Sequence, residues 1–163
     1  MVESVILPAH AQTTGESDSQ EQGCAASASR VVTLNCGDRD FTDGVNDGWS
    51  FPYRIIRDDS GCLSFENGNF DEECAIELAV VVEGGIVRAV VEMNDGSNLQ
   101  SLIEVTSPTT NTCPDLTPTN STSDSDTGMC TTGGGITISY VATVSIEAGS
   151  SNLGTASFEI SEV

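Results

Sequence analysis

Hydrophobic and polar residues alternate with period two over long stretches of the chain, the period of a strand that buries one face. The stretch from Cys74 to Met93 shows it best. Ile76–Glu83 and Ile86–Met93 are two apolar-rich runs joined by Gly84-Gly85. Glycine tolerates φ > 0, which a type I′ turn demands at both central positions, so the pair predicts a tight hairpin. That turn sets Glu83 opposite Ile86 and Ile76 opposite Met93. One face is then wholly apolar, with Ile76, Leu78, Val80 and Val82 against Met93, Val91, Ala89 and Val87. The other is mixed, with Glu77 opposite Glu92 and Val81 opposite Arg88. A slip of one residue would scatter the apolar set, so pattern and turn specify the same pairing. A lone hairpin is marginal in water, and its apolar face needs a second layer.

Other runs supply that layer. Arg30–Asn35 reads as a first core strand, and Tyr53–Arg57 and Cys62–Phe65 as a pair around the turn Asp58–Gly61. Leu99–Thr106 follows the hairpin as a further strand. Near the end, Ile136, Ile138, Tyr140, Ala142, Val144 and Ile146 share one face, with Thr and Ser mostly on the other. Ala156, Phe158 and Ile160 repeat the alternation within Thr155–Val163, which predicts an antiparallel pair with one face in solvent. No window carries a capped helical stripe at i, i+3, i+4 and i+7. The pattern therefore predicts an all-β chain. Residues 30–163 are expected to form a two-sheet antiparallel sandwich or jelly roll of roughly seven to nine strands. Residues 1–29 are small and polar and predict an extended N-terminal arm, with strand character only at Ser4–Pro8. Residues 107–135, rich in Thr, Ser, Asp, Pro and Gly, read as one long loop.

Composition narrows what such a fold can meet. The chain has 163 residues, enough for one domain with a real core. Its formal charge is -20, from 25 acidic residues against five arginines and no lysine. Such a chain repels itself in dilute buffer, whereas in molar salt the screening length falls to about 3 Å and the repulsion fades. The periodic apolar runs argue against an acidic disordered chain. The charge argues against nucleic-acid phosphates and anionic membranes as partners. No apolar run approaches the ~18 residues that span a bilayer. Ala9-His10-Ala11 has the spacing of a signal-peptidase site, but Val5-Ile6-Leu7 is too short an apolar segment to precede it.

Six cysteines stand at Cys24, Cys36, Cys62, Cys74, Cys113 and Cys130, with no CxxC among them. An even number without metal spacing predicts disulfides in an oxidising setting. The simplest map joins sequence neighbours: Cys24–Cys36, Cys62–Cys74 and Cys113–Cys130. Asp38, Asp40, Asp43, Asn46 and Asp47 place several hard oxygens on one loop, the ligand type calcium takes, although the spacing is not that of an EF-hand. Glu66, Asp71, Glu72 and Glu73 form a second acidic loop. The plain alternative is two solvated acidic loops. Beyond calcium or another cation, no cofactor is called for. Trp49, Phe51 and Tyr53 are expected to plug one end of the core, with an exposed binding patch as the alternative. Asn120-Ser121-Thr122 is an N-glycosylation sequon. The only histidine, His10, lies in the arm. Nothing matches GxSxG, HExxH, a P-loop or GxGxxG, so the chain is read as a non-enzyme.

The acidic balance, the strand pattern and the cysteines together resemble β-rich structural proteins of haloarchaeal viruses, such as capsid, turret, decoration or tail-tube subunits. That resemblance implies a structural subunit of a virion or extracellular assembly, partnered by copies of itself and other structural proteins. It carries no individual functional residue with it. Two other readings stand beside it: a calcium-dependent cell-surface module for glycans or proteins, and a pilus or sheath subunit that uses Ser4–Pro8 for strand addition.

Overall fold

The computed structural model describes residues 24, 27–41 and 46–163, and the backbone of 12–13 and 16–17. Ser4–Pro8, His10 and Asp43 lie outside these residues. Among the described residues twelve strands occur in chain order: β1 (Gln12–Thr13), β2 (Glu16–Ser17), β3 (Ser27–Asn35), β4 (Asp47–Arg57), β5 (Leu63–Asn67), β6 (Ile76–Glu83), β7 (Ile86–Asn94), β8 (Leu99–Thr110), β9 (Thr117–Pro118), β10 (Thr122–Thr131), β11 (Thr137–Ile146) and β12 (Asn152–Glu162). β1 and β2 pair only with each other. The other ten form two antiparallel sheets in the orders β10-β11-β12-β3 and β5-β4-β6-β7-β8-β9. The result is a two-sheet sandwich with slightly more strands than the pattern predicts. Its connectivity is that of two meanders. Within each sheet successive strands are neighbours except that β5 lies outside β4, and β12 returns to pair with β3; the chain changes sheets between β3 and β4 and between β9 and β10.

The hairpin β6–β7 has the register its sequence specifies, from Glu83 opposite Ile86 to Ile76 opposite Met93. Gly84 and Gly85 have φ of 62° and 79°, as the turn requires. The apolar face meets β12 and β3 of the other sheet. Leu78, Val80, Val87, Ala89 and Val91 are fully buried, together with Val32, Leu34, Ala156, Phe158 and Ile160 opposite them. One end of the core is aromatic. Tyr140 stacks on Phe158 at 5.2 Å, and Phe65 meets both Phe158 and Tyr53 edge-on. The guanidinium of Arg30, on the inner face of β3, lies 5.2 Å from the Phe65 ring and 5.4 Å from that of Tyr53. A cation here joins the two sheets through ring faces.

All six cysteines are paired, but not with their sequence neighbours. The bonds are Cys24–Cys62, Cys36–Cys113 and Cys74–Cys130. The correction follows from strand length. Cys24 and Cys36 flank the nine-residue β3, which carries its ends roughly 30 Å apart, far beyond the reach of a disulfide. Cys130 stands near the far end of β10, which carries it away from Cys113 in the same way. Each observed bond instead runs from the four-stranded sheet or its flank to the six-stranded one. Cys36–Cys113 closes one end of the sandwich, and the other two close the opposite end, where Arg57 of β4 also pairs with Glu162 of β12.

The long loop expected at 107–135 is also corrected. β8 runs on to Thr110, and β10 occupies Thr122–Thr131 as an edge strand paired along its whole length with β11. Its sequence, TSDSDTGMCT, lacks the apolar alternation that marks a strand because its inner positions are Thr122, Asp124, Asp126, Gly128 and Cys130, with no large apolar residue among them. A Cβ at Gly128 would fall 2.5 Å from the Tyr140 hydroxyl, so glycine is needed there. The turn before β10 is held by Ser107. Its buried hydroxyl donates to the Pro108 carbonyl at 2.8 Å and accepts from the Asn120 N–H at 3.0 Å.

Candidate interaction face

The aromatic triad lies in the core. Trp49, Phe51 and Tyr53 alternate along the inner face of β4, with Trp49 and Tyr53 buried and Phe51 half-buried against Trp49. The binding-patch alternative is therefore withdrawn. Period-two alternation points all three toward the second sheet, where burial of their apolar area is favourable. The acidic loop beside them serves the same packing. One carboxylate oxygen of Asp38 accepts the Trp49 indole N–H at 2.9 Å and the Asn35 N–H at 2.7 Å. Asn46 accepts from Gly84 at 3.0 Å, and Asp47 from the next residue in the chain, Gly48, at 2.8 Å. Among the described residues, no three His, Cys, Asp or Glu side chains gather into a group that could hold a metal ion.

The second acidic loop is likewise engaged. Glu66 and Glu72 pair with Arg54, whose guanidinium also lies 4.3 Å from the Phe70 ring, and Asp71 accepts from Asn94 at 3.1 Å. Two open clefts border this end. One, of about 200 Å³, lies among Pro52, Phe70, Asp71 and Glu77; the other, of about 270 Å³, among Glu73, Met93, Gln100 and the Cys74–Cys130 bond. Asn94 belongs to both. The sequon asparagine, Asn120, is exposed in the turn between β9 and β10.

The two outer faces of the sandwich differ sharply in chemistry. On the six-stranded sheet the face is charged. Glu77 stands opposite Glu92, as the register requires, and Glu77 accepts from the Ser50 hydroxyl. Arg88 relieves the like-charge pair: it lies 3.8 Å from Glu92 and 2.6 Å from Glu104. The four-stranded sheet presents a different surface. Its cross-strand rows, read from β10 to β3, are Met129-Ser139-Ser161-Ser27, Thr127-Val141-Glu159-Ser29, Ser125-Thr143-Ser157-Val31 and Ser123-Ser145-Thr155-Thr33. Twelve of these sixteen positions are Ser or Thr, and Glu159 is the single charge. None is buried.

No known protein family, curated protein or solved structure matches this chain.

What the face can do follows from its geometry. Strands ~4.8 Å apart, with same-face residues ~6.8 Å apart along each, set the hydroxyls on a regular lattice. Each hydroxyl both donates and accepts, so the lattice can match another hydroxyl-bearing surface without a complementary charge. Alternation along β11 and β12 shows half of this array in the sequence. The half contributed by β10 is hidden because its inner positions are polar as well.

Proposed function

We propose that this protein is a structural subunit of an extracellular or virion assembly, of the kind its acidic, β-rich composition resembles. The three disulfides fit an oxidising extracellular setting. No helix among the described residues is long and apolar enough to cross a membrane. The observation that carries the reading is the contrast between the outer faces. On a chain of charge -20, copies repel one another over most of their surface, and one sheet face is kept almost free of charge. Self-repulsion of this size requires strong screening for close packing, which points to a saline environment. Sedimentation of the full chain in molar and in low salt tests the proposal. Association that grows with salt supports it, and a monomer at all salt concentrations up to millimolar protein contradicts it.

A further inference from the structure

We infer that the hydroxyl face of the β10-β11-β12-β3 sheet is a self-docking surface whose occupant is the same face of a second copy, so that sandwiches stack sheet on sheet. The inference rests on the assembly reading above and names the partner and the place of contact. Three features favour a copy of the chain over other occupants.

The first is charge. A second copy carries the same charge of -20, and the approach that brings the fewest carboxylates together is through the face holding only Glu159. The second is self-complementarity. A two-fold contact presses one patch against itself, and groups that both donate and accept satisfy that condition, whereas a field of carboxylates does not. The third is size. Four strands of about nine residues cover roughly 600 Å² per copy, or ~1,200 Å² in total, at the lower edge of specific interfaces. The short side chains leave a flat surface that a second sheet can approach closely. A neutral glycan fits less well, because no aromatic ring stands among the sixteen positions to stack on a sugar.

Glu159 gives the contact a signature. Pairing two faces brings two copies of this exposed carboxylate into one interface, a like-charge contact that salt screens. Association should therefore strengthen with salt, and Glu159→Gln should remove part of that dependence.

The experiment is sedimentation equilibrium of the full chain at low and molar salt, with three variants. Glu159→Gln should tighten association at low salt by about tenfold, the scale of a relieved like-charge contact. Ser157→Glu, on the same face, should weaken it by at least ~tenfold. Thr106→Glu, on the outer face of the six-stranded sheet, should leave it unchanged. Association that ignores Ser157→Glu overturns the self-docking face while leaving the assembly proposal intact. A wild-type chain that stays monomeric in molar salt overturns both, including the case in which it binds a neutral polysaccharide as a monomer.

Discussion

Removing the disulfide Cys36–Cys113 with the double substitution Cys36→Ser and Cys113→Ser tests how the sandwich is held. This bond spans 77 residues and is the only one at its end of the molecule. Taken alone, closure of such a loop restricts the unfolded chain by about 4.5 kcal/mol at 25 °C. The bonds interleave, however. With Cys24–Cys62 and Cys74–Cys130 in place, the shortest covalent route from Cys36 to Cys113 is only about 41 residues, which lowers the figure to ~3.9 kcal/mol. The expected loss is therefore about 4 kcal/mol, a large share of the ~5–15 kcal/mol that holds an ordinary domain together. Urea unfolding of the oxidised variant at fixed molar salt measures it by linear extrapolation. Hydrogen exchange adds a spatial check. Amides near Asn35, Thr110 and Asn152 should lose protection more than those near Ile138 and Ser161, where the other two bonds remain. A loss below ~1 kcal/mol, or exchange rising equally at both ends, refutes the reasoning. So does a peptide map that joins Cys24 to Cys36.

Leu78 is fully buried in the face between the sheets, so Leu78→Ala should cost ~2–5 kcal/mol in the same assay. Arg88→Gln leaves Glu92 and Glu104 without the arginine they pair with; it should lower the melting temperature in low salt, by about 1 kcal/mol equivalent, and much less in molar salt. The wild-type melting temperature should itself rise across a salt series, and a flat profile would contradict the reading of the -20 charge. The hydrogen bond and charge of Arg57 hold Glu162 below its ordinary pKa of 4.5. A depressed carboxyl adds stability above its unfolded pKa and loses it as the pH falls through the folded value. The difference in melting temperature between wild type and Glu162→Gln should thus be present at pH 7, begin to shrink as the pH falls past 4.5, and vanish only below the lower folded pKa.

How much of this was legible in the sequence depends on where each strand sits. The hairpin was readable to the residue because two independent signals, Gly84-Gly85 and the apolar set, fix one register. β11 and β12 were readable for the same reason: each has one buried and one solvated face. β10 was not, because an edge strand at the rim of a sandwich has little core to face, and its Ser and Asp residues then look like those of a loop. β4 begins well before Tyr53, at Asp47, and its first residues were hidden by the turn-rich composition around Gly48. The disulfide map was unreadable in principle. Sequence distance says nothing about which strand ends a sandwich brings together, and Cys24–Cys62 exists only because β3 and β5 meet across the two sheets. The role of Asp38 as acceptor for the Trp49 indole was not legible, because the register that brings a loop carboxylate to a ring eleven residues on is set by the fold.

The charge and the cross-links answer each other physically. Repulsion among carboxylates acts on the folded chain more than on the expanded one, so low salt pushes toward unfolding. In the chain-entropy treatment, disulfides act on the unfolded chain and are indifferent to salt. A sandwich braced at both ends can then remain folded as salt is withdrawn, while the proposed contacts between copies, which would have no covalent support, weaken. Four of the five arginines follow the same division. Arg57 and Arg30 join the two sheets, and Arg54 and Arg88 gather glutamates on the charged outer face. None lies among the sixteen positions of the hydroxyl lattice, so that face offers no cation to carboxylates elsewhere on the surface, and this neutrality is what the proposed self-docking rests on.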